Sequence, residues 1–320
     1  MGKSNKNNTS SFEVSIVIPL FNKEETIQRS IKSILNQTHP VTEIIVVDDG
    51  STDQSVLKVK EIDDPRIKII TQTNGGPSSA RNTGINAAKT VWVAFIDADD
   101  EWMPEYIEEI WNLHKAFPKC GVLTSTYQVD KNGGEKNDVF SSNFPRESKC
   151  MISDYYATRC TEIFHHVSST VCRKQDLLSV GGFKAGVHHF EDFLLWLDLT
   201  IITDFALVNT PLAIYHSSPS GLSKEVFALG EQITPAKLLY SQIRQGLIPQ
   251  RLLESAKNLL SKFQLDEARH LYRYGDKQSA RKAYFQRQKT TQFEKDWQKV
   301  FLVSCLPNWL YKFYLSFKDG

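Results

Sequence analysis

Four acidic side chains follow one short apolar run, in Val91-Trp92-Val93-Ala94-Phe95-Ile96-Asp97-Ala98-Asp99-Asp100-Glu101. The run has the length and composition of a buried strand, and the acids sit where it would end. Carboxylates this close repel one another, and burying them unpaired is costly. A divalent cation removes the conflict. Hard cations that work beside phosphates are usually held by one or two carboxylates, with phosphate oxygens completing the shell. The pattern therefore implies a metal-dependent site for a diphosphate substrate. A calcium loop of the EF-hand type competes, since Asp97, Asp99, Glu101 and Glu108 match its ligand spacing. It fails mechanically, because Trp102 stands where the sharp turn needs glycine and Pro104 stiffens the loop.

Such acids need a scaffold, and the chain predicts one. Strands are expected at Val14–Ile18, Glu43–Val47, Arg66–Ile70 and Val91–Ile96. Helices are expected at Glu24–Asn36, Val56–Ile62, Ser78–Lys89 and Glu105–Phe117 between and after them. This alternation means βα units on a mostly parallel sheet flanked by helices, an α/β fold. Ligands bind beyond the carboxyl ends of such strands. Asn22, Asp48, Asp49, Asp97 and Asp99 all fall there. Residues 127–165 read as a long, polar, irregular stretch with a turn at Lys131–Gly134, functional or mobile. A turn at Val180–Phe183 precedes an apolar helix at Glu191–Ile201, and Ser217–Leu222 reads as a loop or hinge.

At 320 residues the chain can bury a full core and carry an appendage. The net charge of +1 hides an asymmetry: residues 1–223 hold 21 Lys/Arg and 28 Asp/Glu, a balance of −7, whereas 224–320 hold 17 and 9, a balance of +8. The second part reads as helical at Ala256–Phe263, Asp266–Tyr274 and Ser279–Gln288, with a turn at Gly275-Asp276. Its charge suits an anionic partner, nucleic acid or a membrane surface, or simply a solvated helical face. Trp297–Phe317 alternates aromatics with lysines, as an interfacial segment would. Packing on the protein's own body is the equal alternative. The domain reading is a flexible tail at 1–10, an α/β domain at 11–222 and a basic helical region at 223–320. Five cysteines, an odd number without C-x-x-C spacing, predict free thiols in a reducing compartment. No secretory signal and no spanning apolar run are expected, which places the chain in the cytoplasm.

Six motifs in order resemble the family 2 glycosyltransferases with the GT-A (Rossmann-like) fold. They are Val17-Ile-Pro-Leu-Phe-Asn22, Val47-Asp-Asp-Gly-Ser-Thr-Asp53, Gly76-Pro-Ser-Ser-Ala-Arg-Asn82, Phe95-Ile-Asp-Ala-Asp-Asp100, Gly181-Gly-Phe183, and Glu191-Asp192 before Leu195-Trp-Leu197. The resemblance covers roughly residues 13–222 and leaves the last hundred outside. It implies a D-x-D element at Asp97 and Asp99 that binds Mn²⁺ or Mg²⁺, with Asp99 the more direct ligand. Pro19, Phe21, Asn22, Asp49, Arg81 and Ala98 would line the nucleotide site. Asp49 would accept from the uracil N–H. Phe21 stands where the family usually has Tyr, so the ring survives and a hydroxyl is lost.

Asp192 is then the expected catalytic base, desolvated between Phe190 and Phe193, with Glu191 positioning the acceptor. His216 is a tentative acceptor or diphosphate contact, because the family's Tyr-Arg-x-His register is shifted: Ser218 holds the later place and His216 directly follows Tyr215. The pairs His165-His166 and His188-His189 are assigned nothing beyond acceptor contacts. The implied activity is inverting transfer of a sugar from a UDP-sugar to a glycan or lipid-linked glycan, in bacterial polysaccharide or lipopolysaccharide assembly. Peripheral contact with the inner face of the plasma membrane is expected, and no nucleic-acid partner. The rivals are a sugar nucleotidyltransferase, whose Gly-rich loop is missing after the first strand, and a non-catalytic nucleotide-binding protein.

Overall fold

Alternation along the first strand sorts its side chains onto two faces. Val17 joins one buried cluster, while Ile16 and Ile18 join another. The sequence reads as a strand buried on both sides because helices cover both sides. The computed structural model describes residues 12–131, 134, 136–187, 189–217, 233–273, 276–307 and 310. The expected tail at 1–10, most of the Ser217–Leu222 hinge, His188, Gly275 and most of Trp297–Phe317 beyond Pro307 lie outside the described residues, as do two residues of the Lys131–Gly134 turn.

The chain runs β1 (Val14–Leu20), α1 (Ile27–Leu35), β2 (Glu43–Asp48), α2 (Ser55–Lys60), β3 (Ile67–Thr71), α3 (Gly76–Ala87), β4 (Trp92–Phe95), β5 (Glu101–Trp102) and α4 (Tyr106–Ala116). There follow β6 (Val122–Lys131), β7 (Lys136–Val139), β8 (Lys149–Ile152), α5 (Tyr155–Thr161), β9 (Thr170–Arg173), α6 (Lys174–Ser179), α7 (Glu191–Leu199) and β10 (Phe205–Ser217). Four helices complete it: α8 (Pro235–Arg244), α9 (Leu253–Arg273), α10 (Lys277–Gln286) and α11 (Glu294–Cys305). The sheet order is β3-β2-β1-β4-β9-β6-β10-β5, with β7 on β6 and β8 on β10. Strands β3, β2, β1 and β4 are mutually parallel, as are β6 and β10. Short antiparallel pairings add β9 between β4 and β6, and β5, β7 and β8 at the margins.

Helices α1 and α4 cover the Ile16 face through Ile27, Ile31 and Ile34 and through Ile107, Ile110 and Leu113. Helices α3 and α7 cover the Val17 face through Ala80 and Ile85 and through Leu195 and Trp196. Each such aliphatic side chain stabilises the fold by about 1.5–3 kcal/mol when fully buried. Gly84 lets α3 approach β1 closely: a Cβ there would lie 2.3 Å from Val17 Cγ1.

The stretch 127–165 is not irregular. It holds the end of β6, then β7, β8 and α5. Strand β7 pairs Val139 with Tyr127 and Lys136 with Asp130, yet three of its four residues are exposed. A strand held by its backbone ladder alone carries no apolar period to read. Helix α5 starts at Asp154, whose side chain accepts from Ala157 N at 2.9 Å, an N-cap visible in principle from Asp154-Tyr-Tyr-Ala.

The two helical stretches around residue 265 form one helix, α9. Its first half puts Ala256, Leu259 and Leu260 into the large cluster with Trp196. Its second half puts Leu265 and Ala268 into a small cluster with Ala280, Trp297, Val300 and Val303. Trp297 is buried, and its indole donates to Ser261 Oγ at 3.0 Å. At Trp297, packing on the protein's own body wins over an interfacial role. All five cysteines are free thiols.

Candidate functional site

Because β1, β2 and β4 are parallel, their carboxyl ends share one edge, and the predicted acids gather there. Asp49 N donates to Leu20 O at 2.8 Å, which lashes the end of β2 to that of β1. Asp48 closes an Asx turn by accepting from Ser51 N at 3.0 Å. Asn22 is left-handed, with φ 51°, a conformation Asn tolerates better than most residues. Its Oδ1 accepts from Thr52 N at 2.9 Å. Pro19 lies opposite Val47 in the ladder, and the Phe21 ring beyond it is 46% exposed. The buried Asp49 carboxylate accepts from Gln72 Nε2, Gly75 N and Gly76 N, each at 2.8 Å. A carboxylate offers about four lone-pair sites, so a base N–H would add to these bonds rather than replace them.

Arg81 ties this edge to the far half of the chain. Only 3% of it is exposed. Its Nη2 lies 2.7 Å from Asp97 Oδ1 and its Nη1 3.1 Å from Glu191 Oε1. The guanidinium carbon stands 5.2 Å from the centre of the Phe183 ring. Burial alone would push the Asp97 carboxyl up, but the Arg81 charge, helped by His166 and Lys23, outweighs it and holds Asp97 below the usual carboxylate range. Glu191 goes the other way: burial first, then the neighbouring Asp192 charge, push it up against the pull of Arg81. The neighbours account for the difference: Asp97 has further cations beside it, and Glu191 has a second carboxylate. Arg81, expected to reach a nucleotide, here has both terminal nitrogens on carboxylates.

Asp99 Oδ2 meets Lys23 Nζ at 2.5 Å, with the two side chains 28% and 40% exposed. Its backbone carbonyl accepts from Arg29 Nη2 at 2.6 Å. Ala98 is buried between the two aspartates. Asp100 points inward and is fully buried. It accepts from the Ser168 hydroxyl and from His216 N at 3.1 Å. Burial, then the Asp97 and Asp99 charges, push its carboxyl well above the usual range.

Asp97, Asp100 and His166 can bring one ligand atom each within 4.8 Å of one another. Oxygen-rich donors of this kind fit a hard divalent cation, and Asp97 and Asp99 are the accessible ones. The cations Arg81 and Lys23 occupy the places where metal charge would balance them. His216 lies between two acids, with Nε2 2.7 Å from Glu101 Oε1 and Nδ1 3.2 Å from Asp130 Oδ2. Both ring nitrogens are therefore engaged within the protein. His165 is a core residue, 3.1 Å from the Tyr155 hydroxyl.

Asp192 opens α7 directly after Glu191, and its Oδ1 accepts from Phe193 N at 2.6 Å. Phe190, just before, is left-handed at φ 61°. A bulky residue there stores strain of about 1–3 kcal/mol, a kind of strain that clusters at functional sites. Through Arg81 the structure links Asp97 to Glu191, which Asp192 follows on α7, while Pro19, Phe21, Asn22 and Asp49 lie at the neighbouring strand ends. The sequence reading missed Lys23 and Ser168, and it named Asp100 and His166 without the contacts they make. No spacing rule marks them, because their partners lie scores of residues away.

The profile described as "Glycosyl transferase family 2" matches residues 15–179, slightly more than half of the chain. The match includes the strand-end acids and stops short of Glu191-Asp192. The chain is 43% identical over 218 residues to the Escherichia coli UDP-Glc:alpha-D-GlcNAc-diphosphoundecaprenol beta-1,3-glucosyltransferase WfgD, covering 67% of this chain and 81% of that one. With two other curated relatives the match spans 53% and 20% of their own length. Among solved structures it resembles Staphylococcus aureus TarS in complex with UDP-GlcNAc, with a TM-score of 0.64 at 17% identity over 92% of this chain and 82% of that one. It also resembles the mannosyltransferase PcManGT of Pyrobaculum calidifontis, solved with GDP-Man and Mn²⁺, with a TM-score of 0.57 at 18% identity over 79% and 71%. These likenesses show the GT-A fold.

Proposed function

We propose that this chain, which belongs to glycosyl transferase family 2, moves a sugar from a UDP-sugar to a hydroxyl of a glycan or lipid-linked glycan, with inversion at the sugar's anomeric carbon. One observation carries the reading: Arg81 joins Asp97 at the end of β4 to Glu191 at the start of α7. The strand-end acids and the helix bearing Asp192 therefore face one crevice from two sides, as a donor diphosphate and an acceptor hydroxyl require.

Asp192 takes the acceptor's proton as its oxygen attacks the anomeric carbon from the face opposite UDP. The new C–O bond forms as the bond to the diphosphate breaks, the proton ends on Asp192, and the electron pair leaves with UDP. A fixed base of this kind typically contributes about 10²–10⁴ in rate. Glu191 positions the acceptor and holds the local structure through Arg81. Asp49, Phe21, Pro19, Asn22, Arg81 and Ala98 shape the nucleotide side of the crevice, where the exposed Phe21 ring offers a stacking face. Mn²⁺ or Mg²⁺ on Asp97 and Asp99 would neutralise charge on the departing diphosphate. Lys23 then becomes free to turn toward phosphate oxygens. His216 serves this site through Glu101 and Asp100.

The relatives support the substrate classes, since WfgD is named for a UDP-glucose donor and a diphosphoundecaprenol acceptor, and TarS and PcManGT were solved with nucleotide sugars, the latter with Mn²⁺. No helix among the described residues is long and apolar enough to cross a membrane. A peripheral stance at the inner membrane face, within a cytoplasmic setting, belongs to the same reading: Phe285 is 70% exposed on the basic helix α10, and Leu302 is 64% exposed on α11. The test is Asp192→Asn, assayed with labelled UDP-glucose and a GlcNAc-diphosphate lipid, with UDP and Mn²⁺ binding followed by calorimetry. Transfer should fall by at least about 10²-fold while binding persists. A wild-type rate in the variant refutes the base, and no heat of UDP binding to the wild type refutes the function.

A further inference from the structure

Helix α5 presents Arg159 to the first turn of α7. Its guanidinium carbon stands 4.6 Å from the centre of the Phe193 ring, and Phe193 directly follows Asp192. Among the described residues no carboxylate forms an ion pair with Arg159, and that ring is its aromatic contact. From the other side, α9 brings Lys262 alongside. Its Nζ donates to Cys160 O at 2.7 Å, one residue beyond Arg159. Phe263, next on α9, meets the same Phe193 ring at 5.3 Å, edge to face. Arg159 thus lies over the ring beside the base, and Lys262 is close enough to feel its charge.

Like charges held close in a half-buried place are costly. Burial, then the Arg159 charge, lower the proton affinity of Lys262. Asp266 offers it some relief, but Asp266 is also 3.4 Å from Arg269. The Arg159 charge lies in the neighbourhood of Asp192: Tyr127 and Tyr155 each feel both. Arg159 is only partly buried, so water reaches its side chain. A partly exposed guanidinium near an ammonium is suited to a phosphate, which it can grip bidentately.

The geometry points to Arg159 and Lys262 as a binding site for a phosphate group carried by the acceptor, with α9 supplying half of it. This rests on Asp192 being the acceptor-side base. It gives the helical region a specificity role, the selection of a phosphate-linked acceptor over a neutral sugar.

Two probes test it: a GlcNAc diphosphate with a short alkyl chain, and the alkyl glycoside of GlcNAc without phosphate. Binding of each is measured by calorimetry at saturating UDP and Mn²⁺, for the wild type, Arg159→Gln, Arg159→Lys and Lys262→Gln, with thermal melts to confirm folding. The wild type should bind the diphosphate at least tenfold more tightly. Arg159→Gln and Lys262→Gln should each remove most of that preference, Arg159→Lys should keep part of it, and UDP affinity should hold in all. A wild type with no preference overturns the inference, as does a preference that survives both glutamine variants. Loss of UDP affinity in the variants also overturns it, because the cations would then serve the donor. If the wild type fails to bind UDP at all, the functional reading falls first.

Discussion

Replacing Arg81 with leucine tests the central joint of the site. The substitution keeps much of the volume and removes the charge that sits between Asp97 and Glu191 at 2.7 and 3.1 Å. Two carboxylates, 26% and 17% exposed, would then lose their shared counter-ion, leaving Asp97 only the weaker pull of His166 and Lys23. Breaking a buried pair from one side costs about 3–5 kcal/mol, mostly the penalty of stranding the partner charge. Water reaches both carboxylates here, so about 3 kcal/mol is the expected loss, against a total stability of roughly 5–15 kcal/mol. For a chain of 320 residues that lowers the melting midpoint by about 4–5 °C. Urea unfolding followed by tryptophan fluorescence, without divalent cation, measures it. Adding Asp97→Asn and Glu191→Gln to Arg81→Leu removes the stranded charges and should recover at least about 1 kcal/mol, read as non-additivity. If Arg81→Leu alone costs less than about 1 kcal/mol, or the neutral triple variant recovers nothing, Arg81 is not the counter-ion described above.

Gly84→Ala should destabilise the protein by about 1–3 kcal/mol, because the new Cβ would meet Val17 Cγ1 at 2.3 Å; a denaturation midpoint unchanged from wild type would contradict the close approach of α3 to β1. His165 gives a pH dependence. Burial, then the Arg159 and His166 charges, push it down to about 3, whereas in the unfolded chain it titrates near about 6.5. Between these values only the unfolded chain binds the proton, so stability falls as the pH drops below about 6.5, by about 1.4 kcal/mol per unit. His165→Gln should lose that slope, about 2 kcal/mol between pH 6.5 and 5, in paired urea titrations; an identical slope in both proteins would rule it out. Removal of divalent cations with EDTA should weaken UDP binding at least tenfold by calorimetry, and UDP affinity indifferent to EDTA would remove Asp97 and Asp99 from the metal role.

The legible parts of the fold are those where burial writes a period. Strands β1, β2 and β4 are continuous apolar runs because both faces are covered, and the turns after them carry Asn22, Asp49 and Asp97 where the ladder must end. Helix α1 shows its Ile27, Ile31 and Ile34 stripe. Strand β7 leaves no trace, because its backbone does the pairing and its side chains face water. In the site, the acids could be read but not their partners. Arg81 and Glu191 are 110 residues apart, and Lys23 and Asp99 are 76 apart. Such pairings exist only once the sheet order has placed β1 beside β4 and α3 beneath α7. His216 illustrates the limit: its type suggested a ligand, and only the antiparallel return of β5 along β10 shows it clasped between Glu101 and Asp130.

Helix α9 belongs to two cores at once, with Leu259 and Leu260 in one and Leu265 and Ala268 in the other. A rod anchored this way works as a lever. Shortening the chain anywhere before its midpoint would strip the lid from Trp196 and Phe193, so the catalytic half cannot be trimmed free at the edge of the sheet. Conversely, α10 and α11 pack on the same rod whose Phe263 meets Phe193, so the small core is joined through α9 to the residue that follows Asp192.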